Sequence, residues 1–419
     1  MTDQPLTRQQ DMPTETPSLS IRITMLLLAS LTIMSGALIA TSLPGIEARF
    51  ANHENVVMLS RLVLTLPGLF VSIGAPFAGA IADRIGRKPL LLVSLLLYGT
   101  AGASGLFADS LSGLLIGRAL LGLAVAGTMT TATALVGDYF SGDMRDRFMG
   151  YQVAFTGLGG LVFIAGGGVL TELHWRSPFA VYAIAFLLIP AVLKVLYEPE
   201  PVRHEPGHVP ADDVTRRDIL LVALFCLIAA LNSTAFYLIP TQMPFYIEKL
   251  GIAPASGTGL AMGLLPLASA IASLNYGRLR RHFTIPALFA IGFGIMAVGM
   301  NLIALTQDYF GIAGSIGLTG LGLGMVISNM MAGAMAVAPP SIRGRVAGVL
   351  TASIFIGQFL SPLISQPWVD AFGYRAIYHD MGMLVGCFAV VGLLTAIRRR
   401  ISVTASGKAA PRPRAYGVS

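Results

Sequence analysis

Charge is what this chain has least of. Only 12% of its 419 residues are Asp, Glu, Lys or Arg, about half of the ~25% typical of water-soluble domains. That shortage excludes a soluble multidomain protein and a charge-rich disordered scaffold. Cysteine is also scarce. Cys226 and Cys387 are the only two, each inside an apolar run, so a disulfide-stapled secreted fold has no basis, and buried thiols are expected rather than a metal site. Residues 1–20 lack the basic start and short apolar core of a cleaved leader, since they are polar and include Asp3, Asp11 and Glu15; the first apolar run is therefore expected to remain as a span.

Apolar residues are abundant, with 54% hydrophobic residues and 47 glycines. A bilayer core requires ~20 mostly apolar residues per helix. Runs that meet this fall near 22–44, 56–80, 89–108, 111–137, 148–171 and 178–197, then 218–240, 256–277, 284–306, 310–336, 346–367 and 378–397. The expected fold is an all-α membrane protein with twelve transmembrane helices in two six-helix pseudo-repeats. The Pro-rich, charged stretch 198–217 is the expected linker between an N-terminal half (22–197) and a C-terminal half (218–397). Residues 1–21 and the basic 398–419 form terminal tails.

The placement of Lys and Arg tests this count, because a missed helix would scramble which loops are basic. With the N-terminus inside, 22 of the 28 fall on the cytoplasmic side and five on the other, namely Arg49, Arg61, Arg176, Lys249 and Arg375. Arg118 alone is left inside a helix. The split places both termini on the cytoplasmic side, and it spreads the net charge of +7 over short loops rather than a nucleic-acid groove. An offset near 198 residues also lays Arg145-Asp146-Arg147 over Arg343-Gly344-Arg345, and Gly79 over Gly277. Duplicated halves of this kind suit a transporter whose solute site lies at mid-membrane between them.

Between the second and third helices the chain reads Gly79-Ala80-Ile81-Ala82-Asp83-Arg84-Ile85-Gly86-Arg87-Lys88. Glycine permits the tight turn, and an acid among bases permits charge-assisted hydrogen bonds. This loop resembles the signature G-x-x-x-D-R-x-G-R-K of the major facilitator superfamily, in its bacterial twelve-helix efflux-type branch. The resemblance implies a latch in which Asp83, Arg84, Arg87 and Asp138, with Gly79, Gly86 and Lys88 shaping the loop, stabilise an outward-open state. The second half departs from it, with Arg281 where the first half has its acid.

Arg118 matches the family's buried fourth-helix arginine, and an ionisable residue inside a membrane helix is a functional-site hypothesis by default. Its alternative is a tie to backbone carbonyls of neighbouring helices. No acid or histidine falls at mid-depth, and Ser35 stands near the place where some antiporters carry an acid. Val162-Phe163 likewise replaces a Gly-Pro pair of those antiporters. Expected cavity residues are Ser35, Thr128, Thr131, Gln152, Asn232, Tyr237, Asn329 and Gln358, each with an interhelical hydrogen bond as its plainer role.

These observations lead to a secondary active transporter, not an enzyme, that moves a small organic solute by alternating access. Efflux linked to protons is expected, with uptake or facilitated diffusion as one alternative and a transporter-like sensor or scaffold without flux as another. One buried cation and no buried acid point to a neutral or anionic polar solute. No cofactor beyond a proton gradient, no metal and no nucleic acid are expected, and the partners are the solute and the lipid bilayer around a monomer.

Overall fold

The computed structural model describes residues 17–199, 215–339 and 342–405. Twelve helices among them are long and apolar enough to cross a membrane: α1 (Leu19–Arg49), α2 (Val56–Ile85), α3 (Arg87–Leu106), α4 (Leu111–Tyr139), α5 (Gly142–Leu173), α6 (Ser177–Val195), α7 (Arg216–Leu250), α8 (Ala255–His282), α9 (Ile285–Leu305), α10 (Tyr309–Val337), α11 (Arg343–Phe372) and α12 (Tyr374–Arg398). No strand occurs among the described residues. Each overlaps one sequence-expected span, and several run further because a helix keeps its own hydrogen bonds beyond the bilayer core. Most of the 198–217 linker, the first 16 residues and those beyond 405 lie outside the described residues, while α12 continues to Ala405.

The halves repeat in detail. Both α4 and α10 have 29 residues and start from a side-chain cap: Ser110 accepts from the Gly113 N–H at 3.1 Å, and Asp308 accepts from the Gly311 N–H at 2.8 Å. Such caps satisfy amide groups that a first helical turn leaves unpaired. Large apolar side chains cover the outside, including Phe77, Phe107, Leu187 and Phe310. On a soluble protein that surface would aggregate; here it meets lipid.

The halves join mainly along α5 and α8, where glycine lets backbones touch. A Cβ on Gly168 would lie 2.4 Å from the Ala255 carbonyl oxygen, and one on Gly259 would lie 2.6 Å from that of Ile164. Hydrogen bonds between the halves gather at one end of the bundle, where Arg61 meets Gln242 and Glu172 meets the Ser256 N–H. We call this the far end; the opposite end, with the α2–α3 turn and the start of α1, is the basic end.

The first helix is interrupted. Its regular part ends at Ala37, a tight turn covers Ala40–Ser42, and a short helix resumes at Leu43–Arg49 with Pro44 in its first turn. Proline has no N–H and is accommodated at such a start. In α2, Pro67 likewise leaves the Val63 carbonyl without its helical donor.

Candidate functional site

Between the halves, in the basic part of the bundle, lies a cavity of about 500 Å³. Its lining comes from α1 (Thr32), α4 (Met129, Thr133), α5 (Met149, Gln152, Thr156), α7 (Phe236), α8 (Ser269, Ser273) and α10 (Ser328). Among the described residues, no Asp, Glu, Lys, Arg or His lines it. The chamber is therefore apolar with scattered hydroxyls and one amide, a lining that fits uncharged molecules. A larger groove of about 660 Å³ between α9 and α12 is bordered by exposed Val298, Met383 and Val390 and faces the lipid side.

Of the residues expected to line the cavity, Gln152 does so. Tyr237 and Gln358 meet beside Gly36 and Gly68 at mid-depth, where α1, α2, α7 and α11 close over the cavity. The others point elsewhere. Ser35 Oγ donates to the Thr32 carbonyl at 2.7 Å, Thr128 to that of Ala124 at 2.9 Å and Thr131 to that of Gly127 at 2.7 Å. A buried hydroxyl satisfies itself most cheaply on its own helix. Asn329 is wholly buried, accepting from the Tyr276 hydroxyl at 3.0 Å and donating to the Ile285 carbonyl at 2.8 Å, so it ties α8, α9 and α10. Asn232 faces a separate void of about 10 Å³ beside Phe293 and Phe388.

Arg118 is only 1% exposed and does not reach the chamber. Its Nε donates to the Val63 carbonyl at 2.8 Å, Nη2 to the Ser35 carbonyl at 2.5 Å and Nη1 to the Tyr182 hydroxyl at 2.9 Å. Val63 is the carbonyl orphaned by Pro67, and Ser35 lies in the last turn before α1 breaks. The planar guanidinium thus satisfies two backbone groups that helix irregularities left open. This geometry is the carbonyl tie, and it removes the sealed cation as a reason to expect an anionic solute.

The basic end carries the signature loop. Gly86 adopts φ of 97° between α2 and α3, in the region that favours glycine. Arg87 forms an ion pair with Asp138 at the end of α4. Lys88 Nζ donates to the carbonyls of Leu193 in the last turn of α6 and Leu196 just past its end, at 2.9 and 2.5 Å. Asp83 and Arg84 are exposed and make no hydrogen bond or ion pair with the described residues, and a Cβ on Gly79 would meet Thr130 of α4 at 3.9 Å, an ordinary contact. Among the described residues, the ion pair of this loop with α4 is thus made by Arg87. Glu198, unforeseen from the sequence, accepts from the Arg87 and Lys88 N–H groups at 2.7 Å each and so caps α3 from the end of α6.

A second correction concerns Arg61. Expected in an outward loop, it lies inside α2 and is 1% exposed. The signal was present: L-S-R-L-V-L-T sets the arginine within an apolar run rather than before it.

Comparison with known proteins places this architecture. The sequence profile of the Major Facilitator Superfamily matches residues 25–283 and 225–415. The multidrug efflux protein YfmO of Bacillus subtilis is 25% identical over 88% of this chain and 90% of its own length, and the multidrug resistance protein MdtG of Proteus mirabilis is 23% identical over 81% and 86%. The niacin transporter NiaP of Acinetobacter baylyi is 30% identical, but the match covers 35% of this chain and 34% of that protein; the class B tetracycline resistance protein of Escherichia coli is matched over 39% of its length. The chain thus spans only about a third of the length of the relatives matched at 30% identity or more, the niacin transporter and the class B tetracycline resistance protein among them. Among solved structures, a D-xylose-proton symporter superposes with a TM-score of 0.72 at 16% identity, over 88% of this chain and 96% of that one. Signature loop, duplicated six-helix halves and a profile match running through nearly all the spans agree: the chain belongs to the Major Facilitator Superfamily, whose members are transporters.

Proposed function

We propose that this transporter exports a small, uncharged, largely apolar solute across the bacterial inner membrane by alternating access, in exchange for protons. The observation that carries this reading is the chamber at the basic end, closed at the far end and lined, among the described residues, without a charged side chain. The imbalance of Lys and Arg supports a cytoplasmic basic end, so the chamber collects solute from inside. Efflux relatives that align over most of the chain support the direction. Asp83 and Arg84, unengaged while the basic end is parted, remain available for a latch that forms when that end closes.

The solute class follows from the lining. An unpaired charge moved from water into such a chamber costs several kcal/mol, equivalent to at least a hundredfold in affinity. Everted membrane vesicles containing the protein should accumulate uncharged lipophilic compounds in a protonophore-sensitive manner, and their quaternary ammonium analogues at least about a hundredfold less well. Preferred transport of the quaternary series, or no flux of either, would sink the proposal. Thr133→Val with Gln152→Leu, which removes two polar groups from the lining, should raise KM for hydrogen-bonding solutes by roughly tenfold while sparing purely apolar ones.

A further inference from the structure

At the far end, one buried cation joins the two halves. Arg61 Nη1 donates to Glu47 Oε2 and to the Val57 carbonyl, both at 2.6 Å. Its Nε donates across the interface to Gln242 Oε1 at 3.3 Å, and the guanidinium carbon lies 3.8 Å from the centre of the Phe245 ring. Gln242 in turn donates to Ser365 Oγ at 2.9 Å and to Gln366 Oε1 at 3.2 Å, and Gln366 donates to Asp370 Oδ1 at 2.7 Å. The network thus binds α1 and α2 to α7 and α11.

We propose that Glu47 is a proton-binding site that works this closure: ionised, it holds Arg61 in the interface and keeps the far end shut; protonated, it lets the far end open. The proposal rests on the alternating-access reading. A guanidinium between apolar faces is tolerable while a carboxylate neutralises it. A proton taken from far-side water onto a Glu47 carboxylate oxygen leaves a neutral acid beside a cation that no longer has its counter-charge. Parting α2 from α7 then gives Arg61 water. The geometry permits this order of events, since the Glu47 side chain is 28% exposed and that of Arg61 only 2%. The proton can reach the acid before anything moves.

The surroundings contain other charged groups. Arg49, on the same short helix, lies over the Phe50 ring. Tyr374 and Asp370 face the pair from the α11–α12 corner, and Lys249 of α7 lies 5.7 Å from the Tyr374 ring. His53, in the loop before α2, is turned to the Glu54 carbonyl. Of the acids here, Glu47 is the one ion-paired to the cation that crosses the interface. Glu172 also spans the halves, but through the Ser256 N–H at 3.0 Å and with no basic partner among the described residues, which makes it the natural comparison.

The test reads the gate directly. Spin labels at Asn52→Cys and Gln307→Cys, exposed on the far side of either half, are placed in the full chain with Cys226 and Cys387 replaced by Ser, and inter-label distances are measured in nanodiscs without solute over a pH series. Acid should shift the parent protein towards longer distances. Glu47→Gln should favour the long distance at every pH, raising the open-to-closed ratio at neutral pH by about tenfold or more, as loss of one charge-assisted hydrogen bond implies. Glu172→Gln should keep the pH response, and Glu47→Asp, which retains a carboxylate, should keep it too. A pH-dependent shift in Glu47→Gln equal to that of the parent, its absence in the parent, or its loss in Glu47→Asp overturns the proposal, and the Asp variant decides the matter if the Gln variant does not fold. Because the readout needs no solute, failed transport would leave the gate standing, and a transporter that does not open with acid would remove the gate alone.

Discussion

Replacing Arg118 by Lys separates a charge read by solute from a tie between helices. Charge and desolvation are nearly conserved in this substitution, so what changes is geometry. The guanidinium reaches carbonyls on two helices and a hydroxyl on a third at 2.5–2.9 Å. A compact ammonium lacks the planar fork that spreads these three contacts, so at least one of the Val63 carbonyl, the Ser35 carbonyl and the Tyr182 hydroxyl loses its donor away from water, at ~1–3 kcal/mol. A lost hydrogen bond to a charged donor adds ~1.5–3 kcal/mol, so after partial relaxation a loss of about 2–4 kcal/mol is expected. At roughly 2–4 °C per kcal/mol for a unit the size of one half, the unfolding midpoint should fall by about 5–15 °C. Intrinsic fluorescence from Trp175 and Trp368 during heating of purified protein reports it. Solute affinity measured well below that midpoint should change less than threefold. A variant as stable as the parent that has lost tenfold or more in affinity would refute the tie and restore Arg118 as a solute contact.

Other consequences are simpler to check. Gly168→Val should abolish folded yield or cost at least ~1–3 kcal/mol through overpacking, because its Cβ would press on the Ala255 carbonyl, whereas Gly166→Ala, with nothing within 4 Å, should be neutral; equal behaviour of the two would contradict the α5–α8 seam. Glu198→Gln should speed amide hydrogen exchange at Arg87 and Lys88 while leaving the middle of α3 protected, and unchanged exchange at both would mean that the carboxylate does not cap this helix.

Two kinds of information were divided between chain and fold. Membrane residence, the number of spans and the duplication were legible in the sequence because a bilayer reduces them to the length and spacing of apolar runs, which depend on no partner. The signature loop was legible too, since Gly86 and the acid–base alternation around it act within a few residues. What the side chains face could not be read in the same way. Ser35, Thr128 and Thr131 look like cavity groups by composition, yet each turns back onto its own helix; Thr32 and Thr133, of the same chemistry a few residues away, face the chamber. Rotation of a helix about its axis is set by close packing with its neighbours, and the hydrophobic pattern that would reveal it is muted where lipid replaces water on the outside.

The low charge count with which the chain announces itself as a membrane protein was therefore sufficient for its class. Only tertiary structure decided what the few intramembrane charges do. It sealed Arg118 against the two carbonyls freed by Pro67 and the break in α1, and it drew Arg61 from an assumed loop into the interface with Glu47. The physical reason is the same in both cases: a buried charge is defined by its partners, and those partners stand on helices distant in sequence.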